Sequence, residues 1–131
     1  MSTIFTRIIK GEIHCFKIAE NENCFALLDI SPLAKGHTLV VPKKEIDYLF
    51  DLSTADHKDL WDFAKYVAKA VEKAVPCKRI GVAVIGLEVP HAHIHLIPLN
   101  RVRDMNFANP KLKFSDEEME EVAGKIRKMI S

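Results

Sequence analysis

The sequence lacks a strong net charge and long apolar runs, and each absence excludes a class of protein. Its 131 residues carry a formal net charge of +1, so no overall electric field attracts nucleic acid or an anionic membrane surface. The apolar runs are far too short to cross a bilayer, and the first residues contain no long apolar segment of the kind that marks a signal peptide. We therefore expect a cytoplasmic protein without nucleic-acid or membrane partners.

Cysteine is also scarce. Cys15, Cys24 and Cys77 are an odd number, widely spaced and without a CxxC pair, which argues against both a disulfide framework and a cysteine-based zinc site. Hydrophobic residues make up 48% of the chain and charged residues 28%, as is typical of ordered globular domains. We expect residues 1–131 to form one domain.

Histidine is the residue that stands out. Three of the six histidines occupy alternate positions in His91-Ala92-His93-Ile94-His95. Alternation is the period of a β-strand, so this spacing predicts three imidazoles on one strand face and apolar side chains on the other. An imidazole near neutral pH accepts or donates a proton, attacks an electrophile or binds a metal. A purely structural strand needs no such row.

The rest of the pattern predicts an α+β fold. Helical spacing of apolar residues and capping signals predict a short helix after Ser2 or Thr3, a long helix after Ser53 and a C-terminal helix after Ser115. Apolar and β-branched runs predict strands at 15–19, 24–30, 37–42, 79–85 and from 91 onwards, the first two as a hairpin. Segment 45–52 is ambiguous, and 100–114 is expected to be an extended connection. Short turns favour a largely antiparallel sheet.

Three interpretations compete for the histidine strand. An imidazole could be a nucleophile that attacks phosphorus, while its neighbours hold its tautomer and supply protons. Two of these histidines together with His37 could instead bind zinc and leave a position open for water. The third interpretation is that they are partly exposed residues with no shared role. The turn before them favours the first, because Gly86 permits close approach of a ligand and the N–H groups of 86–89 can cradle phosphate oxygens.

The stretch 91–97 resembles the signature of the histidine triad (HIT) family of nucleotide hydrolases and transferases. Three upstream blocks, 5–13, 28–32 and 36–43, resemble successive blocks of the same family. Their order and spacing agree from residue 3 to residue 99, and 100–131 lies outside the resemblance as a C-terminal extension. The resemblance implies a HIT-like fold and a symmetric homodimer.

The resemblance also implies a hydrolase mechanism of the first kind. His93 corresponds to the nucleophile, which attacks the α-phosphate of a nucleotide and forms a covalent nucleotidyl-histidine that water then releases. His95 would contact the phosphate and assist the leaving group, while His91 and His37 would orient His93. The expected substrates are nucleoside monophosphate derivatives, namely phosphoramidates, adenylylated compounds or dinucleoside polyphosphates.

The family places a nucleoside pocket on residues of this chain, and a purine nucleotide is the expected small-molecule partner. Asp29 corresponds to the carboxylate that holds the ribose hydroxyls, although it could merely begin the turn at Ser31. The turn before the triad would hold phosphate through Gly86, Leu87, Glu88 and Val89. The positions that line the base are Ile4, Phe5, Ile8, Ile13, Leu27 and Ile30, about half of which we expect to be ordinary core residues.

The chain departs from the family at several places. Leu87 replaces a glutamine that many relatives carry, so an amide for the phosphate is missing, and Glu88 stands where some have Ser or Thr. Thr3 and Thr6 occupy positions where some members bind zinc through cysteines. We therefore expect no metal and no cofactor. A purine nucleotide-binding protein with little catalysis, or a His-ligated zinc hydrolase, remain alternatives.

Overall fold

The structure, a computed structural model, describes residues 2–130. This part of the chain forms three α-helices and a five-stranded antiparallel sheet of strand order β1-β2-β3-β5-β4, which confirms the predicted α+β architecture. The helices are α1 (Ile4–Ile9), α2 (Thr54–Ala74) and α3 (Asp116–Met129). The strands are β1 (Lys17–Glu20), β2 (Cys24–Leu28), β3 (Thr38–Pro42), β4 (Arg79–Ala83) and β5 (Ile94–Leu99).

Side-chain caps begin the helices where the sequence predicts them. Of the two candidate caps for α1, Thr3 is the one used, since its hydroxyl accepts the N–H of Thr6. Ser53 caps α2 in the same way, and Ser115 forms a reciprocal capping box with Glu118 at α3. Each cap satisfies an N–H that the first helical turn leaves without a partner.

Both faces of the sheet are covered. Helices α2 and α3 pack on one face and bury alternate strand residues such as Ala26, Val40 and Ile94 in the main core. The intervening residues face the other way, where α1 covers a second, smaller cluster. That second cluster contains Phe5, Phe25, Leu27, Leu39 and Val41. This double coverage explains why every residue of β2 and β3 is buried.

The predicted hairpin forms, but its strands are shorter than the apolar runs. Strand β1 starts at Lys17 and β2 ends at Leu28, so residues 15–16 and 29–30 lie outside the ladder. The Asn21 carboxamide closes the hairpin by accepting the N–H groups of Asn23 and Cys24, which is the local bonding that suits Asn to turns. Strand β4 likewise stops at Ala83, two residues before the predicted end.

The prediction that all three triad histidines lie on one strand is wrong. Strand β5 begins at Ile94, so only His95 lies on it, while His91 and His93 precede it. The backbone N–H of His91 donates to Val89 and that of Ala92 donates to Ile46. Both acceptors are loop carbonyls, so these residues are not part of the sheet. The alternation of side chains between two faces therefore does not apply to His91 and His93. Strand β5 is antiparallel to its neighbours, as predicted.

The two irregular segments each contain a single 3₁₀ turn. Leu49–Asp51 lies in the ambiguous segment before α2, and Val102–Met105 interrupts the connection before α3. The expectation that 100–114 is an extended connection is therefore wrong at this turn. Asp104 explains the second turn, because its carboxylate accepts the N–H groups of Asn100 and Arg101. The three cysteines are free thiols. Within residues 2–130, no helix combines the length and apolarity needed to span a membrane.

Candidate functional site

Four histidines converge beside β3, β5 and α1. His37, His91, His93 and His95 are at most 8% exposed. His37 immediately precedes β3, and the register of β3 on β5 pairs Leu39 with His95. Because paired residues project to the same face, His95 shares the face of α1 with Leu39. The antiparallel pairing therefore brings His37 beside residues that are more than fifty positions away in the sequence.

His37 and His95 are joined by a hydrogen bond whose direction the surroundings fix. The N–H of Leu33 donates to His37 Nδ1 at 3.0 Å, so a neutral His37 carries its proton on Nε2. That atom lies 2.9 Å from His95 Nδ1 and donates to it, which leaves the proton of His95 on its own Nε2. Burial lowers the pKa of His37 to about 3 and that of His95 to about 4, and both rings are neutral at pH 7.

His93 has the opposite tautomer. Its Nδ1 lies 2.8 Å from the backbone carbonyl oxygen of His91. A carbonyl only accepts, so Nδ1 carries the proton and Nε2 keeps its lone pair. The rings of His93 and His95 lie 5.0 Å apart between centroids. An imidazole with a lone pair on Nε2 therefore stands beside one with a proton on Nε2.

His91 is fully buried and anchored at both ring nitrogens. Its Nε2 lies 2.8 Å from the carbonyl oxygen of Pro42, to which it donates. Its Nδ1 lies 2.7 Å from the hydroxyl of Thr3, which donates to it in the neutral state. Burial is the largest cause that lowers the pKa of His91. This ring is thus a neutral fixed element, and it is the backbone of His91 that contacts His93.

The site opens to solvent at two nitrogen atoms. Neither His93 Nε2 nor His95 Nε2 has a hydrogen-bond partner within residues 2–130. No fully buried side-chain nitrogen or oxygen in that part of the chain lacks a partner, so both atoms must retain solvent contact. The two reactive atoms face an accessible space, while the remaining ring nitrogens are used to hold the rings.

Asp29 follows β2 and lies against the same histidines. Its Oδ1 accepts the N–H of Ser31 at 2.8 Å, and its Oδ2 lies 3.5 Å from His37 Nε2. Burial raises the pKa of the Asp29 carboxyl, whereas the Ser31 bond and the field of His93 lower it. Asp29 therefore both begins the turn and offers a carboxylate at the edge of the histidine cluster.

The residues expected to line a base divide into two groups. Phe5 is buried, with its ring centroid 5.1 Å from that of His93 and 5.6 Å from that of His91. Leu27 and Ile8 belong to the same apolar cluster as Phe5. Two others are exposed, Ile4 at 45% and Ile30 at 72%. Ile13 is half-buried, as is Ile8.

The turn before the triad is open. Gly86 has a φ of +73° and a Cβ there would meet no atom within 4 Å, so its role is conformational. Leu87 is 88% exposed, whereas Val89 packs on the cluster around Phe5. Glu88 is exposed, and its charge raises the pKa of Asp29. The turn thus reaches the side of the site where Asp29 lies.

The sequence reasoning missed two side chains of the connection before α3. The ring of Phe107 lies edge-on to His95 at 4.9 Å and to His37 at 6.4 Å between centroids. Lys111 lies over the ring of Phe107, with its ammonium 6.0 Å from the ring centroid and 2.6 Å from the Phe107 carbonyl oxygen. Its positive charge lowers the pKa of both Asp29 and His37. Phe107 is the lone aromatic residue between Val102 and Lys111 in the sequence, and a single aromatic in a polar connection could have indicated a residue that packs against the site.

Asp29, His37 and His95 bring potential metal-ligand atoms within 4.8 Å of one another. The donor set does not fit a metal ion. His37 Nδ1 is occupied by the Leu33 N–H and His37 Nε2 carries a proton, so neither nitrogen of that ring has a lone pair to give. The expectation that the chain binds no metal stays a prediction.

The comparisons with known proteins agree on one family. The model of the HIT domain matches residues 10–102. The adenosine 5'-monophosphoramidase of Schizosaccharomyces pombe is 36% identical over 134 residues, covering 97% of this chain and 100% of that protein.

Two solved structures share the fold. A HIT-like protein involved in cell-cycle regulation from Bartonella henselae superimposes with a TM-score of 0.85 at 32% identity, covering 98% of this chain and 96% of the other. A zinc-bound histidine triad family protein from Mycobacterium smegmatis gives a TM-score of 0.85 at 26% identity over 99% and 94%. With its family model, its relative and its fold in agreement, this chain belongs to the HIT family.

Proposed function

We propose that this protein hydrolyses nucleoside 5'-phosphoramidates or related adenylylated compounds through a covalent nucleotidyl-histidine at His93. The observation that carries the proposal is the tautomer of His93, which donates Nδ1–H to a fixed carbonyl and holds a solvent-accessible lone pair on Nε2. A nucleophilic imidazole needs that arrangement. The name of the S. pombe relative, a monophosphoramidase, supports the same class of substrate.

In the first step, His93 Nε2 forms a bond to the α-phosphorus while the bond from phosphorus to the leaving nitrogen breaks. The departing nitrogen takes up a proton from solvent water and leaves as an amine. The His93 ring is then cationic, and its Nδ1–H bond to the His91 carbonyl becomes charge-assisted and stronger. In the second step, water attacks phosphorus, returns the electron pair to Nε2, and releases AMP and a proton.

His95 acts in this scheme as a neutral hydrogen-bond donor. With its pKa near 4, it holds no extra proton at pH 7, so it cannot act as an imidazolium acid. Its Nε2–H can donate to a phosphoryl oxygen as charge develops there. His37 donates to Nδ1 of His95 and thereby keeps the His95 proton on Nε2. The Gly86–Val89 turn and Lys111 are the candidate contacts for the remaining phosphate oxygens.

Asp29 and the exposed apolar residues would hold the nucleoside. Oδ1 of Asp29 bonds to the turn, and the second carboxylate oxygen can accept ribose hydroxyls. Ile4, Ile30 and the half-buried Ile8 and Ile13 have apolar surface to offer a purine base, while Phe5 and Leu27 support them from the core.

The experiment uses an adenosine 5'-phosphoramidate, rapid quenching at alkaline pH and intact-protein mass measurement. We expect a transient AMP adduct on the wild-type protein and none on His93→Ala, with AMP release reduced by at least ~1000-fold. His14→Ala is the matched control, because His14 is exposed and contacts only Phe16 among the described rings. Retained turnover in His93→Ala would contradict the assignment.

Two further measurements separate the alternatives. Tight AMP binding in calorimetry without any adduct or turnover by the wild-type protein would indicate a nucleotide-binding protein. Stoichiometric zinc that is lost together with activity on chelation would indicate a zinc hydrolase.

A further inference from the structure

A surface carboxylate is connected to the buried His91 ring through Thr3 and Thr6. Glu45 lies just after β3, and its Oε1 accepts the hydroxyl of Thr6 at 2.7 Å and the backbone N–H of Thr3 at 2.8 Å. The hydroxyl of Thr3 lies 2.7 Å from His91 Nδ1 and 3.3 Å from the hydroxyl of Thr6. The sequence analysis assigned no role to Glu45.

The hydrogen-bond directions in this network are determined. His91 Nε2 donates to the Pro42 carbonyl, so Nδ1 of the neutral ring accepts and the Thr3 hydroxyl donates to it. Glu45 accepts the hydroxyl proton of Thr6. The Thr6 oxygen then has lone pairs toward Thr3, and the Thr3 hydroxyl can turn to it if His91 gains a proton. The network can therefore accommodate both protonation states of His91.

His91 connects this network to the reacting ring. Its backbone carbonyl accepts the Nδ1–H of His93, and the ring of Phe5 contacts both imidazoles. The His91 ring is fully buried, so turning it would break the bonds to Thr3 and Pro42 without compensation by water. The position of the carbonyl that fixes the His93 tautomer thus depends on the anchoring of the His91 ring.

We propose that Glu45 is a positioning residue for the reaction at His93, acting through Thr3 and Thr6 on His91. Its carboxylate holds Thr3 through the backbone N–H and Thr6 through the hydroxyl, so that the Thr3 hydroxyl stays on His91 Nδ1, and its negative charge favours positive charge in this part of the site. This role rests on the proposed function, since it belongs to the same reaction.

The electrostatics of His91 agree with this role. Burial is the largest influence and lowers the pKa of His91, the Pro42 carbonyl and then the charge of Glu45 raise it, and the neighbouring His93 lowers it. Within residues 2–130, Glu45 is the carboxylate among these influences. In the covalent intermediate the His93 ring is cationic, and a carboxylate in contact with the network offsets part of that charge.

The decisive variant is Glu45→Gln, because an amide oxygen can still accept from Thr3 and Thr6 but carries no charge. We expect the adduct to form ~3- to 10-fold more slowly, with little change in KM, and the pKa of His91 to fall in an NMR titration. Asp47→Asn removes the same charge from an exposed side chain two residues away, and we expect it to leave both quantities unchanged.

Variants of Thr3 test the hydroxyl link. Thr3→Val keeps the shape but cannot donate to His91 Nδ1, so the ¹⁵N shift of that nitrogen should change and adduct formation should slow further. Thr3→Ser should restore both, because it keeps the hydroxyl. Thr6→Val separates the link from helix capping, since its backbone N–H still bonds to Thr3. It should resemble Glu45→Gln in rate.

The two proposals fail in different ways. A wild-type protein that forms no adduct would overturn the proposed function, and the NMR titration would still report on the network. The role of Glu45 is overturned if Glu45→Gln leaves the His91 titration and the rate unchanged, or if Asp47→Asn lowers both equally.

Discussion

His93 Nδ1 lies 2.8 Å from the backbone carbonyl oxygen of His91, and this one bond decides which nitrogen of His93 is available to a substrate. In a free neutral imidazole either nitrogen can hold the proton. Here the carbonyl holds the proton on Nδ1, while His37 imposes the opposite choice on His95. Two rings 5.0 Å apart thus present a lone pair and a proton to the same space.

The stability of the fold should fall as the pH is lowered from neutral. The pKa values of His37 and His95 are about 3 and about 4, below the unfolded value, so the unfolded chain binds more protons below pH 6.5. This contribution is fully present above pH 6.5. It is lost as the pH falls toward 3, with a slope of up to about 1.4 kcal/mol per pH unit for each group.

Urea unfolding at pH 7, 6 and 5 measures that slope. His37→Gln removes one buried ring whose pKa is lowered and should flatten the slope. An unchanged slope in this variant would show that His37 does not remain neutral in the folded protein.

Removing the Phe107 ring should raise the pKa of His95. Burial is the largest cause of its low value, and Phe107 covers one edge of the ring at 4.9 Å. In Phe107→Ala, water reaches His95 and its pKa should move up from about 4 toward the ordinary range. Phe107→Leu keeps an apolar cover and should stay near the wild-type value. An NMR titration that does not distinguish the two variants would rule out this role of Phe107.

Asp29→Asn should weaken binding of AMP more than binding of 2'-deoxy-AMP. Loss of a charged acceptor for a ribose hydroxyl costs about 1.5–3 kcal/mol, which isothermal calorimetry detects as an affinity change of ~10-fold or more. The asparagine oxygen can still accept the Ser31 N–H and keep the turn. If both nucleotides lose affinity equally, Asp29 serves the turn and not the sugar.

Gly36→Ala should destabilise the fold more than Gly11→Ala. Both glycines have positive φ, +89° and +82°, but a Cβ on Gly36 would lie 2.8 Å from Val75 Cγ2, whereas one on Gly11 would meet nothing within 4 Å. Strain alone costs about 1–2 kcal/mol, and overpacking adds roughly 1–3 kcal/mol at Gly36.

Chemical denaturation of the two variants tests this difference. Val75→Ala combined with Gly36→Ala should recover part of the stability lost in Gly36→Ala, because the clash with Val75 is then relieved. A double variant that shows no coupling would mean that the backbone strain accounts for the whole effect.

Much of the fold was predictable because its signals are local. Thr3, Ser53 and Ser115 cap helices through atoms within three residues of themselves, and apolar periodicity gave the existence of each strand. Strand ends were less predictable. Ile30 continues an apolar run, yet β2 stops at Leu28, since a ladder ends where its partner strand ends.

Most residues of the candidate site could be predicted from the sequence, but their hydrogen bonds could not. The spacing of His91, His93 and His95 was visible, yet two of them lie before the strand. Phe107 and Glu45 were missed because their contacts join residues that are distant in sequence. Phe107 contacts His95, and Glu45 accepts the hydroxyl of Thr6. Backbone acceptors such as the His91 and Pro42 carbonyls carry no sequence signal at all.

The sequence by itself determined that imidazoles would cluster, that helices would begin at their caps and that apolar faces would be buried, since these follow from residue type and spacing. Only the tertiary structure decided which nitrogen of each imidazole carries a proton. That choice depends on whether a carbonyl, a hydroxyl or an N–H lies within about 3 Å of the ring. Such a distance is set by how β3, β5, α1 and the loops between them pack.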